Sequence, residues 1–359
     1  MTARVHPGET PASHVLEGLL SFLLREDDPR AIALRERYVF KLVPILNPDG
    51  VYNGHYRADT LGQNLNRCYG HAQHGDHPTC FAVNALVRQL HARQALQFYV
   101  DTHGHATKRG CFLYGNCLAD HERMVENVLY AQLVAANCRW FDFGGCVFTK
   151  SFMSKADKRD GLSREGSARV AIFKRTDLTH VYTLESSYNT GRLVNRIEAM
   201  NVPSGADRRE VRDLSPPPPP PRSGLPKYTP ESWAAVGRAL AISVLDLAEA
   251  NPVSRLGPLG GGGLTRLRGV VGAWCRTEAR KEAAKALKAA FKKGSAVASG
   301  SGGGRGGGDG GGGGGDDDGM SGGSGDDDDD EPEMRGEEEA GLSDEEEEAG
   351  SNHGSNSIS

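Results

Sequence analysis

A histidine and a glutamate near the start of the chain have the spacing of two metal ligands. In His6-Pro7-Gly8-Glu9 they stand three residues apart, and the proline and glycine between them predict a turn that can aim both side chains at one point. Such a pair alone is a weak signal, because most pairs of this spacing lie on solvated surfaces. Catalytic zinc needs three protein ligands and an open position, so a third ligand must come from elsewhere.

The third ligand is predicted at the end of a buried strand. Residues 96–102 are apolar and β-rich, and they lead directly into His103-Gly104-His105. We favour His103 as the ligand and keep His105 as the alternative. A lone histidine after a strand is more often structural, and only the His6/Glu9 pair makes a metal ligand the better interpretation.

A carboxylate and two cations complete the candidate chemistry. Glu185 follows an apolar strand, where an unpartnered charge is costly, and beside a metal it would serve as a general base. Alone it would more often belong to a structural ion pair. Arg57 and Arg67 lie in the polar segment between the two ligand segments, and arginine binds carboxylates through two parallel hydrogen bonds. The alternative for them is a solvated surface role.

The predicted elements place these residues at strand ends. Helices are predicted for residues 13–25, 81–93, 122–137 and 229–249, and strands for residues 38–46, 96–102, 112–114, 169–173 and 180–184. This alternation predicts an α/β fold with a mostly parallel or mixed sheet. Sites in such sheets form at the carboxyl ends of strands, and His6, His103 and Glu185 each follow a strand-like run.

Composition divides the chain into three segments. Residues 1–255 have the composition of one catalytic domain with a proline-rich loop at 203–227, residues 256–298 are a basic linker with a possible helix, and residues 299–359 are a glycine-rich acidic tail predicted to be disordered. Residues 301–359 carry 19 acidic and 2 basic side chains, so the total charge of −5 leaves about +12 on residues 1–300. A basic body attracts acidic partners.

The remaining composition limits where the protein works. Seven cysteines without CxxC spacing predict reduced thiols in the cytosol. There is no signal-peptide pattern and no apolar run of membrane-spanning length, so no membrane partner is expected. Residues 266–293 carry nine Lys or Arg residues, which we interpret as a solvated linker helix. Nucleic acid is not expected as a partner, and a nuclear location is the alternative to the cytosol.

Five separated motifs resemble those of the M14 zinc carboxypeptidases, in the same order. They are HPGE, NPDGV, YR-x6-NLNR, DTHGHATKRGCFLYGN and YTLESSYNTGR. Within that family they are most similar to the cytosolic carboxypeptidases, over about residues 3–255. The resemblance implies a mixed sheet flanked by helices. Family members also carry an N-terminal β-sandwich domain and first sheet strands, and only five residues precede His6 here, so we expect this chain to lack both and to be poorly stable.

The resemblance also implies roles for individual residues. One zinc ion per chain would be held by His6, Glu9 and His103. The catalytic residues would be Glu185, as general base, and Arg57, which would stabilise the oxyanion. The substrate's terminal carboxylate would be held by Asn66 and Arg67, and its last side chain by Arg169.

Arg169 and Asn64 are the two implied positions with an alternative role or a departure from the family. Arg169 would select an acidic side chain, and the alternative is an ion pair at a strand edge. Asn64 stands where many relatives have an aspartate that orients a zinc histidine. An amide oxygen can still accept a hydrogen bond from imidazole, but it raises the ligand's basicity less.

The predicted function is a zinc metallocarboxypeptidase that removes C-terminal or branch-linked glutamate from acidic protein tails. Polyglutamylated tubulin is the substrate that the resemblance implies, with a location in the cytosol or at microtubules and cilia. Two alternatives remain at this point. The chain could bind glutamylated tails without cleaving them, or it could be an aspartoacylase-like zinc amidohydrolase.

Overall fold

A four-stranded mixed sheet carries the fold. The structure is a computed structural model that describes residues 1–157, 161–200, 224–257 and 262–299. The strands are β1 (Thr2–Ala3), β2 (Phe98–His105), β3 (Cys111–Tyr114) and β4 (His180–Ser187). Their spatial order is β1-β2-β4-β3, in which β1, β2 and β4 run parallel and β3 runs antiparallel to β4. The expected α/β fold with a mixed sheet flanked by helices is confirmed.

Nine α-helices accompany these strands in the described residues. They are α1 (Pro11–Leu23), α2 (Pro29–Arg37), α3 (Pro48–Tyr52), α4 (Pro78–Ala92), α5 (His121–Asn137), α6 (Lys150–Ser154), α7 (Ala168–Thr176), α8 (Pro230–Leu247) and α9 (Gly263–Ser299). Five of them begin at a proline. Proline has no backbone N–H, and it suits the first turn because N–H groups there have no acceptor within the helix. The four predicted helices correspond to α1, α4, α5 and α8.

The sheet buries both of its faces. Successive strand residues point to opposite sides, and Val100 of β2 packs with α5 and α8 whereas Tyr99 packs with α4 and α7. The same alternation occurs in β4, where Tyr182 joins the first cluster and Val181 the second. Both faces of the sheet are thus covered by apolar packing, and the polar side chains of the candidate site lie at the strand ends.

Two predicted strands are wrong. Residues 169–173 lie in α7, where the β-branched Val170 and Ile172 are buried by packing of the helix on the sheet. Residues 38–46 form no strand, although Val43 makes an isolated parallel bridge to Thr2. The Val43 N–H donates to the Met1 carbonyl at 2.9 Å and the Leu46 N–H to the Ala3 carbonyl at 2.9 Å, so this stretch runs along the edge of β1 without regular strand pairing.

The segment after residue 255 packs more closely on the rest of the chain than a solvated linker would. The helix proposed there is part of α9, whose first half lies against α5. Leu264, Val271 and Cys275 are buried in the main core, and Arg268 pairs with Glu126 at 2.5 Å. Most of the proline-rich loop, residues 201–223, and the acidic tail after Ser299 lie outside the described residues. Across the ranges that are described, no helix has the length and apolarity needed to cross a membrane.

Helices α1 and α8 cross at two glycines. A Cβ atom on Gly237 would lie 1.8 Å from the Val15 carbonyl oxygen, and one on Gly18 would lie 2.2 Å from that of Ala234. The two backbones are therefore in direct contact, and any side chain at the crossing would push the helices apart.

Gly237→Ala is accordingly expected to lower the free energy of unfolding by about 1–3 kcal/mol, although alanine is the better helix former. Denaturant unfolding of the full chain measures this change. Gly269→Ala in α9 is the matched control, because nothing lies within 4 Å of its added Cβ and the helix should gain up to about 1 kcal/mol. Equal unfolding midpoints for the two variants would contradict the close crossing.

Candidate metal centre and substrate site

The turn that carries the first two candidate ligands is held from both sides. It leaves β1 at Arg4, whose left-handed φ of 56° bends the chain out of the strand. Arg4 Nε donates to the Pro7 carbonyl at 2.9 Å. Gly8 donates its N–H to the Tyr56 carbonyl at 2.8 Å, and a Cβ on Gly8 would lie 2.8 Å from the Tyr56 ring. The short spacing between His and Glu is thus fixed in one conformation.

Strand pairing brings His103 to this turn. β1 and β2 pair with Thr2 opposite Asp101 and Ala3 opposite Thr102. The end of β2 therefore lies beside the residues that follow β1, and His103 meets Glu9 there. His105 lies apart from this group, because its Nδ1 receives the Lys108 N–H at 2.9 Å.

Three ligand atoms converge in the buried group formed by His6, Glu9 and His103. His6 Nδ1 lies 2.6 Å from Glu9 Oε1, and His103 Nδ1 lies 2.9 Å from Glu9 Oε2. The two Nδ1 atoms are 3.3 Å apart, and all the ligand atoms lie within 4.8 Å of one another. All three residues are buried. Two imidazole nitrogens and a carboxylate at these separations form a donor set suited to one small cation.

The Nε2 atoms of both imidazoles, which point away from the group, also have the partners expected of metal-binding histidines. His6 Nε2 lies 3.0 Å from Asn64 Oδ1, and His103 Nε2 lies 2.8 Å from Asp101 Oδ2. Metal-binding histidines donate their second N–H to such an oxygen, which leaves the other nitrogen's lone pair facing the metal. The arrangement therefore fits zinc bound through both Nδ1 atoms, and Asn64 accepts from His6 in the way its position suggested.

Electrostatics at this group favour an ionised Glu9. Burial raises the pKa of Glu9, but the two histidines more than reverse this and hold it well below its usual value. Burial lowers the pKa of His6. For His103 burial acts in the same direction, but the carboxylates of Asp101 and Glu9 overcome it and raise the pKa well above normal. A bound divalent cation would replace these protons and keep both imidazoles neutral.

Glu185 lies directly across the ladder from His103. The two are paired Cα partners of β2 and β4, so their side chains point to the same face of the sheet. Burial raises the pKa of Glu185 to about 8, and the His103 charge opposes that shift. The ladder thus places Glu185 beside His103 within β4, two residues before that strand ends, and its role as a base stays a prediction.

The two loop arginines lie on the other side of the group. Arg57 Nη1 is 3.4 Å from His6 Nδ1 and 3.7 Å from Glu9 Oε1. Arg67 belongs to the short 3-10 helix Leu65–Arg67 and is buried. One carboxylate, that of Asp157, contacts both guanidinium groups, at 3.4 Å from Arg57 Nη2 and in a short ion pair with Arg67 Nη2. A carboxylate of the chain itself therefore occupies the position between the two arginines.

Asn66 and Arg169 reach different surroundings. Asn66 Oδ1 accepts the Ala168 N–H at 3.0 Å, and its Nδ2 lies 3.5 Å from His103 Nε2, so it borders the ligand group. Arg169 is buried in α7 and its Nη1 donates to the Gly115 carbonyl and to Asn116 Oδ1 at 2.6 and 2.8 Å. Burial lowers the pKa of Arg169 to about 10, and its charge is felt by Glu185. Among the contacts of the described residues, Arg57 reaches His6 and Glu9, whereas Arg169 reaches neither.

A basic cavity opens beside the loop arginines. It has a volume of about 860 Å³, and the positively charged side chains that line it are Arg57, Arg67, Lys174 and Arg175. Glu165 lines it too and pairs with Lys174 at 2.7 Å. The His-Glu-His group and Glu185 are not among the lining residues of this cavity. Arg57 and Arg67 thus stand between the ligand group and a basic groove.

Sequence reasoning missed several residues of this site. Asp101 precedes His103 by two residues on the same strand, and the two-residue period of a strand places both side chains on one face. The sequence therefore contained the information needed to predict Asp101 as the partner of His103. Tyr188 lies over the turn, with its hydroxyl 3.3 Å from the Gly8 carbonyl oxygen. Asp157 is separated from the two arginines by 100 and 90 residues and has no motif that marks it. Only the folded chain reveals the last two.

A donor set of two histidines and a glutamate is one that catalytic zinc sites use, among them those of zinc metallopeptidases. The family model of zinc carboxypeptidase, Peptidase_M14, matches residues 1–107. The cytosolic carboxypeptidase-like protein 5 of Danio rerio is 37% identical over 352 residues, covering 71% of this chain and 39% of that protein. The Rattus norvegicus protein of the same name is 38% identical, covering 75% of this chain and 42% of that protein.

A second relative and a solved structure agree. Cytosolic carboxypeptidase 6 of Homo sapiens is 34% identical over 256 residues, which cover 70% of this chain and 44% of that protein. The metallo-carboxypeptidase of Burkholderia cenocepacia shares the fold, with a TM-score of 0.51 and 21% identity over 69% of this chain and 56% of that one. The chain belongs to the M14 zinc carboxypeptidase family. It spans about two fifths of the length of the relatives it matches, and these matches favour a carboxypeptidase over an amidohydrolase.

Proposed function

We propose that this chain is a zinc-dependent carboxypeptidase that releases glutamate from the ends or branch points of acidic protein tails in the cytosol, with polyglutamylated tubulin as the substrate class. The observation that carries this proposal is the convergence of His6, Glu9 and His103 beside two arginines that border a basic cavity. Family membership and the names of the cytosolic relatives support it. Membrane or nucleic-acid partners are not part of the proposal.

One zinc ion per chain would be held by His6, Glu9 and His103. When bound, zinc supplies a Lewis acid that polarises the scissile carbonyl and makes water a better nucleophile. Glu185, across the ladder from His103, is placed to take a proton from the attacking water and to pass it to the leaving amine. Arg57, beside Glu9, is placed to stabilise the negative charge that develops on the carbonyl oxygen.

The arginines and Asn66 account for the choice of substrate end. Arg67 and Asn66 would hold the terminal carboxylate, because a guanidinium group matches a carboxylate with two hydrogen bonds. An incoming carboxylate would take the place that Asp157 occupies between Arg57 and Arg67. Arg169, buried and charged near Glu185, would pair with the side-chain carboxylate of the last glutamate.

The test measures glutamate released from peptides that end in glutamate, in glutamine or in a branch-linked glutamate. Glutamate release that a zinc chelator abolishes and added zinc restores is the expected result. Arg169→Ala should lower kcat/KM for the glutamate peptides by about 30-fold or more, because a buried charge pair loses one partner, and should change the glutamine peptide much less. Arg123→Ala removes a half-buried arginine paired with Asp177; it is the control and should keep wild-type selectivity.

Two results would contradict parts of this proposal. Binding of the glutamate peptides without any release, in chain shown to hold zinc, would favour a binding protein for acidic tails. An unchanged ratio of glutamate to glutamine cleavage in Arg169→Ala would remove Arg169 from the side-chain pocket while leaving the reaction itself in place.

A further inference from the structure

A second group of metal-binding side chains lies outside the site described above. In the part of the chain that the structure describes, ligand atoms of Cys68, His71 and His77 all lie within 4.8 Å of one another. Thiolate and imidazole are the ligands that zinc favours in structural sites. Tetrahedral zinc holds such atoms about 3.3–3.6 Å apart, so small side-chain rotations would close this group around an ion.

His77 already has the surroundings of a metal-binding histidine. Its Nε2 lies 2.8 Å from Gln63 Oε1, an acceptor that leaves the Nδ1 lone pair for a metal. Nδ1 accepts a long hydrogen bond from the Gln73 N–H at 3.4 Å, which a bound ion would replace. The rings of His71 and His77 are nearly perpendicular, at 88°, with centroids 5.7 Å apart. This is an edge-to-face pair, so the two rings are neighbours without being stacked.

The three residues connect the substrate site to the start of α4. Cys68 directly follows the 3-10 helix that contains Asn66 and Arg67, and it is buried. His77 is the residue that precedes α4. His71 lines the basic cavity, as does Cys68. An ion at this group would therefore fix the segment of Asn66 and Arg67 against the start of α4.

We propose that Cys68, His71 and His77 form a second transition-metal site, of zinc type, that positions the carboxylate-binding segment. Cys68 would bind as a thiolate, so its proton is released to solvent as the ion enters. The proposal does not depend on the proposed reaction, because its ligand set can be tested on metal content alone.

Cobalt distinguishes the two sites, because a thiolate bound to Co²⁺ has a charge-transfer band in the near ultraviolet and the His6–Glu9–His103 group contains no sulfur. Metal-free full-length chain titrated with Co²⁺ is expected to take up two ions, one of which produces this band. Cys68→Ser should abolish the band and reduce uptake to one ion. Cys117→Ser, a half-buried cysteine outside the group, is the matched control and should keep both.

His71→Ala gives a variant that is expected to fold, because His71 is exposed. It should weaken Co²⁺ binding at the second site by about 10–100-fold or more, with the first site unchanged. His6→Ala should show the opposite pattern, keeping the band and losing the other ion. Uptake of a single ion without the band by the wild-type chain would overturn the proposal, as would a band that persists in Cys68→Ser.

Discussion

Replacing Glu185 with glutamine is expected to lower kcat for glutamate release by about 10²–10⁴-fold while the zinc content of the chain stays the same. Glutamine keeps the shape of the side chain but cannot accept the proton of the attacking water. The carboxylate lies across the β2–β4 ladder from His103, on the same face of the sheet, which places it next to the metal ligands without making it one. A loss of turnover with unchanged metal content follows from that geometry.

The ionisation of Glu185 depends on its neighbours. Burial raises its pKa to about 8, whereas the positive charges of His103 and Arg57 favour the ionised form. A cation held by His6, Glu9 and His103 would act in the same direction as those charges. Glu185 is therefore expected to be ionised and able to act as a base when the metal is present, although burial alone would protonate it.

Single-turnover kinetics together with metal analysis separate this role from a structural one. Glu17→Gln is the matched control, because Glu17 is an exposed glutamate of α1 that pairs with His14 and is not among the residues lining the basic cavity. It should change kcat little. If Glu185→Gln kept wild-type turnover, or lost its zinc together with its activity, Glu185 would not be the general base.

Arg57→Gln is expected to lower kcat by about 10²–10³-fold, the usual loss when one donor to a developing oxyanion is removed. The Arg57 guanidinium group contacts the candidate ligands, at 3.4 Å from His6 Nδ1 and 3.7 Å from Glu9 Oε1. Its interaction with substrate strengthens only as negative charge develops, so KM should change less than kcat.

Arg67→Gln provides the contrast within the same loop. Arg67 is assigned to the terminal carboxylate, which is charged before and after the reaction, so its loss should raise KM more than it lowers kcat. Arg57→Lys keeps the charge without the planar fork and should fall between wild type and Arg57→Gln. If Arg57→Gln raised KM and left kcat unchanged, Arg57 would bind substrate rather than stabilise the reacting oxygen.

The metal group was predictable from sequence because its signals are local. His6 and Glu9 are close in the chain. His103 and Glu185 each follow an apolar run in one of the two central strands. The register that aligns them was not predictable, because it depends on pairing residues that lie about 80–100 positions apart, such as Thr2 with Asp101. The group of Cys68, His71 and His77 was missed for a similar reason, since only a folded loop brings His77 back to Cys68.

The errors in the element prediction have a physical cause. Val170 and Ile172 favour strands by propensity, but packing on the sheet decides the conformation of α7. Residues 38–46 have the composition of a strand, yet Val39 is 82% exposed and the segment meets β1 through a single isolated bridge at Val43 and a hydrogen bond from Leu46. Strand propensity describes how well a residue suits a half-buried pleated surface. Neither segment lies in such a surface, because one is a helix packed on the sheet and the other is largely outside it.

The placement of Asp157 has a consequence for which tails the proposed enzyme would hold. Because Asp157 is part of the same chain, its carboxylate stays beside the two arginines until another carboxylate displaces it. A substrate with one carboxylate would compete at a disadvantage against this resident ligand. A tail with several consecutive glutamates would return repeatedly to the basic cavity while one of its ends exchanges with Asp157. Occupancy would then depend on how many carboxylates the tail carries, so the site would distinguish glutamate chains by their length.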